Sequence, residues 1–195
     1  MRARLLTLCL LPFAVIACTA PNARRSTLSR PSVQAALASA PAPAPSSARL
    51  PDVDPSQLQL VRFPGGEKVA LADFRGQVVM LDLWATWCEP CVESLPRYRE
   101  LEQRLSDQGL VFLALSLDED PRQVQRFIEE QQLSLTHLFM DGPDQPVASA
   151  LKLRGLPTTY LLDRQGRLRH VHEGYLPEEF PALVSVVEEL LNEQG

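Results

Sequence analysis

Two cysteines three positions apart, Cys88 and Cys91, are the residues of this 195-residue chain best suited to do chemistry. Cys88 follows a nearly unbroken apolar run over residues 78–84, and apolar residues recur at helical spacing directly after the pair. The pair is therefore expected at the end of a buried strand and the start of a helix. Free backbone N–H groups at a helix start stabilise a thiolate, so Cys88 is predicted to be the nucleophile and Cys91 the resolving thiol.

Three other interpretations of the pair stay open: half of a zinc site, a static disulfide, and chance spacing. Zinc takes four ligands, and His137, His170 and His172 are not spaced to complete a site with the pair. A disulfide that closes so short a loop adds little stability, because the entropic gain grows with loop length. Thiol exchange is the favoured interpretation, with no metal site, no bound cofactor and no chemical role for the histidines.

The elements that position the pair alternate between strands and helices from residue 58 onward. A hairpin, a buried strand, the helix after the cysteines, a second buried strand and a second helix are followed by a short strand, a small helix, another hairpin and a last helix. Pro177 is expected to open that last helix, with Glu178 and Glu179 in its first turn, where the helix dipole favours acids. This order predicts an α/β fold with helices on both faces of a mixed sheet.

The first fifty residues read as an export signal and a spacer. Residues 1–17 contain two arginines and then an apolar run that is shorter than the roughly 20 residues needed to span a bilayer. The run ends in Val15-Ile16-Ala17-Cys18, which resembles a bacterial lipobox and predicts lipidation of Cys18; an ordinary signal peptide cut after Ala20 is the alternative. Residues 18–50 are rich in Ala, Pro and Ser and are expected to form a tether for a domain over 51–195.

Charge and length exclude some classes of function. The formal net charge is −5, and no Asp or Glu precedes Asp52, so the domain itself is acidic. A nucleic-acid-binding protein needs a basic surface, and none is indicated. The chain has room for one hydrophobic core, and a monomer is expected.

The stretch Trp84-Ala85-Thr86-Trp87-Cys88-Glu89-Pro90-Cys91, with Pro96 five residues on, resembles the thioredoxin superfamily. It is most similar to the TlpA/ResA-like branch of bacterial extracytoplasmic thiol-disulfide oxidoreductases. Gly155-Leu156-Pro157-Thr158-Thr159 resembles the second mark of that superfamily. The resemblance covers roughly residues 57–192. It implies a thioredoxin fold, a cis Pro157 opposite the dithiol, a Leu156 backbone that pairs with substrate, and an active-site motif that includes Trp87, Glu89 and Pro90.

Two positions depart from the TlpA/ResA-like pattern. Asp82 stands where that branch commonly has Asn, and burial of a carboxyl behind the dithiol raises its pKa. We predict that Asp82 exchanges a proton with Cys91, the alternative being a partly hydrated structural carboxylate. Ser94 stands where many members carry Glu, so any role of that glutamate is in doubt here.

These features predict a lipid-anchored, periplasm-facing reductase of cysteine pairs in client proteins, with the choice of membrane left open. Its electrons are expected from another thiol protein, and the resemblance implies apocytochrome c or copper-handling proteins as clients. The Glu89 carboxylate opposes thiolate formation at Cys88, which favours a reductant over an oxidant. The alternative is a copper-binding or binding-only lipoprotein, because two close thiolates suit Cu(I).

Overall fold

The structure, a computed structural model, describes residue 54 and residues 57–193. The predicted signal peptide, the lipidation site Cys18 and the tether lie outside these residues, so the domain boundaries drawn from the sequence stay predictions. In the described part of the chain, no helix is both long enough and apolar enough to cross a bilayer.

Strands and helices alternate through most of the described chain. In order they are β1 (Gln59–Arg62), β2 (Lys68–Ala70), β3 (Val78–Trp84), α1 (Glu89–Leu105), β4 (Leu110–Ser116), α2 (Pro121–Glu130), β5 (Leu138–Met140), α3 (Pro146–Ala150), β6 (Thr158–Leu162), β7 (Leu168–Glu173) and α4 (Phe180–Asn192). The seven strands form one sheet in the order β2-β1-β5-β4-β3-β6-β7. Strands β3, β4 and β5 pair in parallel and the other neighbours are antiparallel. The predicted α/β class, mixed sheet and N-terminal hairpin are confirmed.

Strands β3 and β4 lie at the centre of the sheet and are buried along their whole length. Such strands read as continuous apolar runs because both faces are covered. Alternate residues of β3 point to opposite sides, so Met80, Asp82 and Trp84 share one face. The apolar residues of that face pack against α1, α2 and α4. The resulting cluster includes both cysteines, and we call it the dithiol core. The other face packs on α3 and on a 3-10 turn at Leu71–Phe74, so helical elements cover both sides.

The start predicted for the last helix is wrong. Helix α4 begins at Phe180, and Pro177 with its two following glutamates forms a turn before it. Pro181 occupies the first turn of the helix, where its missing N–H costs nothing and its fixed φ suits the helix. The sequence holds two prolines that fit this role, and the packing of α4 on the sheet selects the second.

Candidate active site

The cysteine pair lies at the junction of β3 and α1. Cys88 is the N-cap residue of α1, and Cys91 lies within the first turn. The two form a disulfide with a Cα–Cα distance of 5.3 Å. Cys88 is 7% exposed and Cys91 is fully buried, so of the two only Cys88 is accessible to a partner. After reduction, the free N–H groups of the first turn favour a thiolate at this sulfur.

Asp82 lies fully buried on the face of β3 that carries the dithiol core. Burial raises the pKa of its carboxyl to about 8, and a hydrogen bond from Thr159 opposes part of that shift. Its Oδ1 accepts this bond from the Thr159 hydroxyl at 2.8 Å. Its Oδ2 has no hydrogen-bond partner among the described residues. An acid with this pKa exists in both protonation states near neutral pH, as proton exchange with a thiol requires.

The hydroxyls of Thr159 and Tyr98 form a hydrogen-bonded series with Asp82, and the sequence analysis assigned a role to neither. The Tyr98 hydroxyl on α1 lies 3.3 Å from the Thr159 hydroxyl. Tyr98 is fully buried and contacts the rings of Phe112 and Tyr175 edge-on. Tyr98 reads as one more apolar position of an amphipathic helix, and nothing in its spacing signals the contact.

The loop between β3 and α1 is anchored by Asp118, which the sequence analysis also missed. The Thr86 amide and hydroxyl donate to the two Asp118 carboxylate oxygens at 3.0 and 2.6 Å. The Ser116 hydroxyl donates to the same carboxylate at 2.8 Å. Asp118 follows β4, which runs parallel beside β3, so both strands end at this edge of the sheet. The sequence signal that could have revealed Asp118 is an acidic residue just after the second buried strand.

The Leu156–Pro157 peptide is cis, as the resemblance implies. Thr158 begins β6 and pairs with Leu83 on β3, so Pro157 lies at the sheet edge from which the cysteine loop departs. Leu156 is half-buried and packs against the dithiol core. The Thr158 hydroxyl donates to the Gly155 carbonyl at 2.8 Å and closes the turn before the strand. The two segments that carry the family motifs are thus brought to one edge by the β3–β6 pairing.

Trp87 gives the site an exposed aromatic surface. Its side chain is 70% exposed, whereas Trp84 is fully buried in the dithiol core, as predicted for that position. Glu89 and Pro90 between the cysteines are also exposed. A groove of about 350 Å³ adjoins the loop and is lined by Trp87, Leu117, Glu119, Asp120, Gln123 and Gln145. A molecule that approaches Cys88 along this groove therefore meets an aromatic ring and carboxylates.

Ser94 takes no acidic role in the site. It is fully buried, and its hydroxyl donates to the Cys91 carbonyl at 3.0 Å. Within the described residues, no group of three or more His, Cys, Asp or Glu side chains is arranged to hold a metal ion. His170 and His172 stack with ring centroids 6.4 Å apart on the edge strand β7.

A sequence profile of the Redoxin family matches residues 37–191. The thiol-disulfide oxidoreductase ResA of Geobacillus kaustophilus is 34% identical over 114 residues, which are 58% of this chain and 64% of that protein. ResA of Halalkalibacterium halodurans is 32% identical over the same shares. A Chlorobium tepidum protein described as a thiol:disulfide interchange protein of the DsbE type has a TM-score of 0.66 at 28% identity. That match covers 73% of this chain and 98% of the solved one.

The chain spans slightly less than two thirds of the length of the ResA relatives. The resemblance found from the two motifs is confirmed at the level of the family and of the fold. The names of these relatives also agree with the oxidoreductase class that the cysteine spacing predicts.

Proposed function

The chain belongs to the Redoxin family, and from this premise we propose that it is a thiol-disulfide oxidoreductase that reduces cysteine pairs of client proteins. The observation that carries the proposal is the Cys88–Cys91 disulfide at the start of α1, with the buried Asp82 carboxyl on the same core. A disulfide across so short a loop contributes little to stability, so exchange is the better explanation of the pair. The dithiol itself carries the two electrons, and the reaction needs no resident cofactor.

The reaction proceeds in two exchange steps. The Cys88 thiolate attacks one sulfur of the client disulfide, which breaks, and the client's other sulfur leaves as a thiolate. Asp82 then takes the proton of Cys91, and the Cys91 sulfur attacks Cys88 Sγ. The bond between Cys88 and the client breaks and the second client thiolate is released. The client gains two electrons, the protein ends as the Cys88–Cys91 disulfide, and another thiol protein restores the dithiol.

The charges around the pair favour reduction over oxidation. Glu89 beside Cys88 and an ionised Asp82 both oppose a thiolate, and a less stable thiolate makes a more reducing dithiol. The helix dipole acts the other way but is common to reductants and oxidants. We expect a potential of roughly −220 to −280 mV, well below the roughly −120 mV of a strong oxidase. Equilibration with a glutathione redox buffer measures it, and a value above about −160 mV would reverse the proposed direction.

Client recognition follows from the surfaces around Cys88. The proposed contacts are the exposed ring of Trp87, which precedes Cys88, and the cis Leu156–Pro157 segment, whose Leu156 packs against the dithiol core. An extended client segment would pair with the backbone of Leu156, which precedes β6, because β6 itself is already paired with β3 and β7. The clients that we propose are proteins of cytochrome c maturation or copper-protein assembly, as the TlpA/ResA-like resemblance of the motifs implies.

Anchoring through Cys18 is the second part of the proposal. A lipidated Cys18 and the 18–50 tether would hold the domain on the periplasmic side of a membrane as a monomer. Cys18→Ala is expected to move the protein to the soluble fraction with its reductase activity intact, because both cysteines of the dithiol lie outside the 18–50 segment. The wild type should resist a salt wash, since several acyl chains bind a membrane far more firmly than one. Wild-type protein in the soluble fraction with an unmodified Cys18 would refute the anchor.

Trapping experiments test the exchange mechanism. Cys88→Ser should abolish reduction of a disulfide substrate, and Cys91→Ser should accumulate a covalent adduct with the client, because only Cys88 starts exchange. The trapped adduct also identifies the client by mass spectrometry. Equal alkylation rates of the two thiols in the reduced protein would contradict the assignment. Tight Cu(I) binding without turnover of any disulfide substrate would replace the proposal with a copper-binding role.

A further inference from the structure

Asp82 and Thr159 lie opposite each other on the neighbouring strands β3 and β6. They are direct partners in the antiparallel pairing of β3 with β6, so their side chains lie on the same face, within the dithiol core. Thr159 is fully buried, and its hydroxyl lies 2.8 Å from Asp82 Oδ1. A buried Thr opposite a buried Asp is not required by packing, because Val has nearly the same shape and no polar group to satisfy.

The hydrogen bonds in this cluster have a definite direction when Asp82 is ionised. Thr159 has one hydroxyl proton, and an ionised Asp82 can only accept, so Thr159 donates to Oδ1. The Tyr98 hydroxyl, 3.3 Å away, then donates to the Thr159 oxygen. Two hydroxyl dipoles in series point toward the carboxylate. Oδ2 remains without a partner among the described residues.

We infer that Thr159 is a positioning residue, which holds Asp82 through Oδ1 and leaves Oδ2 as the oxygen that takes the Cys91 proton. The inference rests on the proposed function. It adds a residue of β6, one strand away from the cysteine loop, to the machinery of the resolving step. Thr159 follows Pro157 by two positions. The same short segment therefore contacts the client through Leu156 and Pro157 and positions the Asp82 carboxylate through Thr159.

The other titratable groups near Asp82 are few. From α1 they are the two cysteines and Tyr98, whose pKa is raised, mainly by burial. On β7, the strand beyond β6, the titratable group is His172, the cross-strand partner of Thr159. Burial lowers the pKa of His172, whereas burial raises the pKa of Asp82. Tyr175 contacts the Tyr98 ring. A titration near pH 8 in the oxidised protein is therefore assignable to Asp82, and Asp82→Asn should remove it.

The test is Thr159→Val in the full chain, with Thr159→Ser to restore the hydroxyl. Thr158→Val is the matched control, because Thr158 is the adjacent buried threonine and its hydroxyl bonds to Gly155 instead. Carboxyl ¹³C chemical shifts of the oxidised protein report the Asp82 midpoint directly. The pH profile of disulfide reduction by the reduced protein reports the functional consequence.

Thr159→Val is expected to raise the Asp82 midpoint by about one to two pH units, since a hydrogen bond to a charged group is worth that much. The alkaline shift should appear in the rate profile as well. Thr159→Ser should return both midpoints to wild type, and Thr158→Val should leave them unchanged. Tyr98→Phe should give a smaller shift in the same direction.

An Asp82 midpoint that is equal in Thr159→Val and Thr158→Val would overturn the inference. So would a shifted carboxyl midpoint with an unchanged rate profile, because Thr159 would then act on the charge but not on the reaction. Failure of the proposed function looks different. In that case the wild type reduces no disulfide substrate at any pH, while the carboxyl midpoint still moves with Thr159.

Discussion

The buried carboxyl of Asp82 should make the protein less stable as pH rises, and Asp82→Asn should remove that dependence. In the unfolded chain the carboxyl has its ordinary pKa of 3.8, whereas in the folded protein burial raises the pKa to about 8. The folded state therefore keeps a proton that the unfolded state releases between these values. The contribution of the protonated Asp82 carboxyl to the stability of the folded state is complete below pH 3.8, and it is lost as pH rises through 8.

The size of the effect follows from this pKa difference. The free energy of unfolding falls by about 1.4 kcal/mol for each pH unit between the two pKa values. At pH 7 the accumulated loss is on the order of 4 kcal/mol, relative to a neutral side chain of the same shape. Asn is that side chain, and its amide oxygen can still accept from Thr159. Its amide nitrogen in place of Oδ2 adds a cost that does not vary with pH, so the slope is the quantity to compare.

Urea unfolding of the oxidised wild type and of Asp82→Asn, measured from pH 4 to pH 9, checks the reasoning. The difference in unfolding free energy should grow in favour of Asn up to about pH 8 and then level off. All other titrating groups are shared by the two proteins and cancel in the difference. A difference that stays constant with pH would show that Asp82 has no raised pKa in the folded state, and would refute its role as the proton acceptor.

Three further outcomes test other parts of the site and fold. Asp118→Ala should lower stability by about 2–3 kcal/mol and slow disulfide reduction, because the Thr86 loop loses its anchor; unchanged kinetics would refute that anchoring role. Trp87→Ala should slow reduction of protein clients but not of a small disulfide, with stability unchanged within about 0.5 kcal/mol. Burial acts to raise the pKa of Asp163, but hydrogen bonds from Arg167, Arg169 and Gln165 together outweigh it and lower the pKa. Asp163→Ala should therefore destabilise the protein at pH 7 but progressively less as pH falls below about 4, in urea titrations.

The comparison of sequence with structure separates local from long-range determinants. The place of Cys88 at a strand–helix junction could be predicted because the apolar run before it and the helical spacing after it are local patterns. The same holds for the hairpin β1–β2 and for the burial of Trp84. The start of α4 could not be predicted, because local preference allowed either proline and the packing of the helix on the sheet made the choice.

The hydrogen bonds that hold the active site in place are long-range determinants. Thr86 and Asp118 are 32 positions apart, and Asp82 and Thr159 are 77 apart. The sequence alone determined that a buried acid stands near a dithiol, since Asp82 interrupts a buried apolar strand. Only the register of β3 against β6 decided that Thr159 supplies the hydroxyl that faces that acid, because a slip of one residue would turn Thr159 to the opposite side of the sheet.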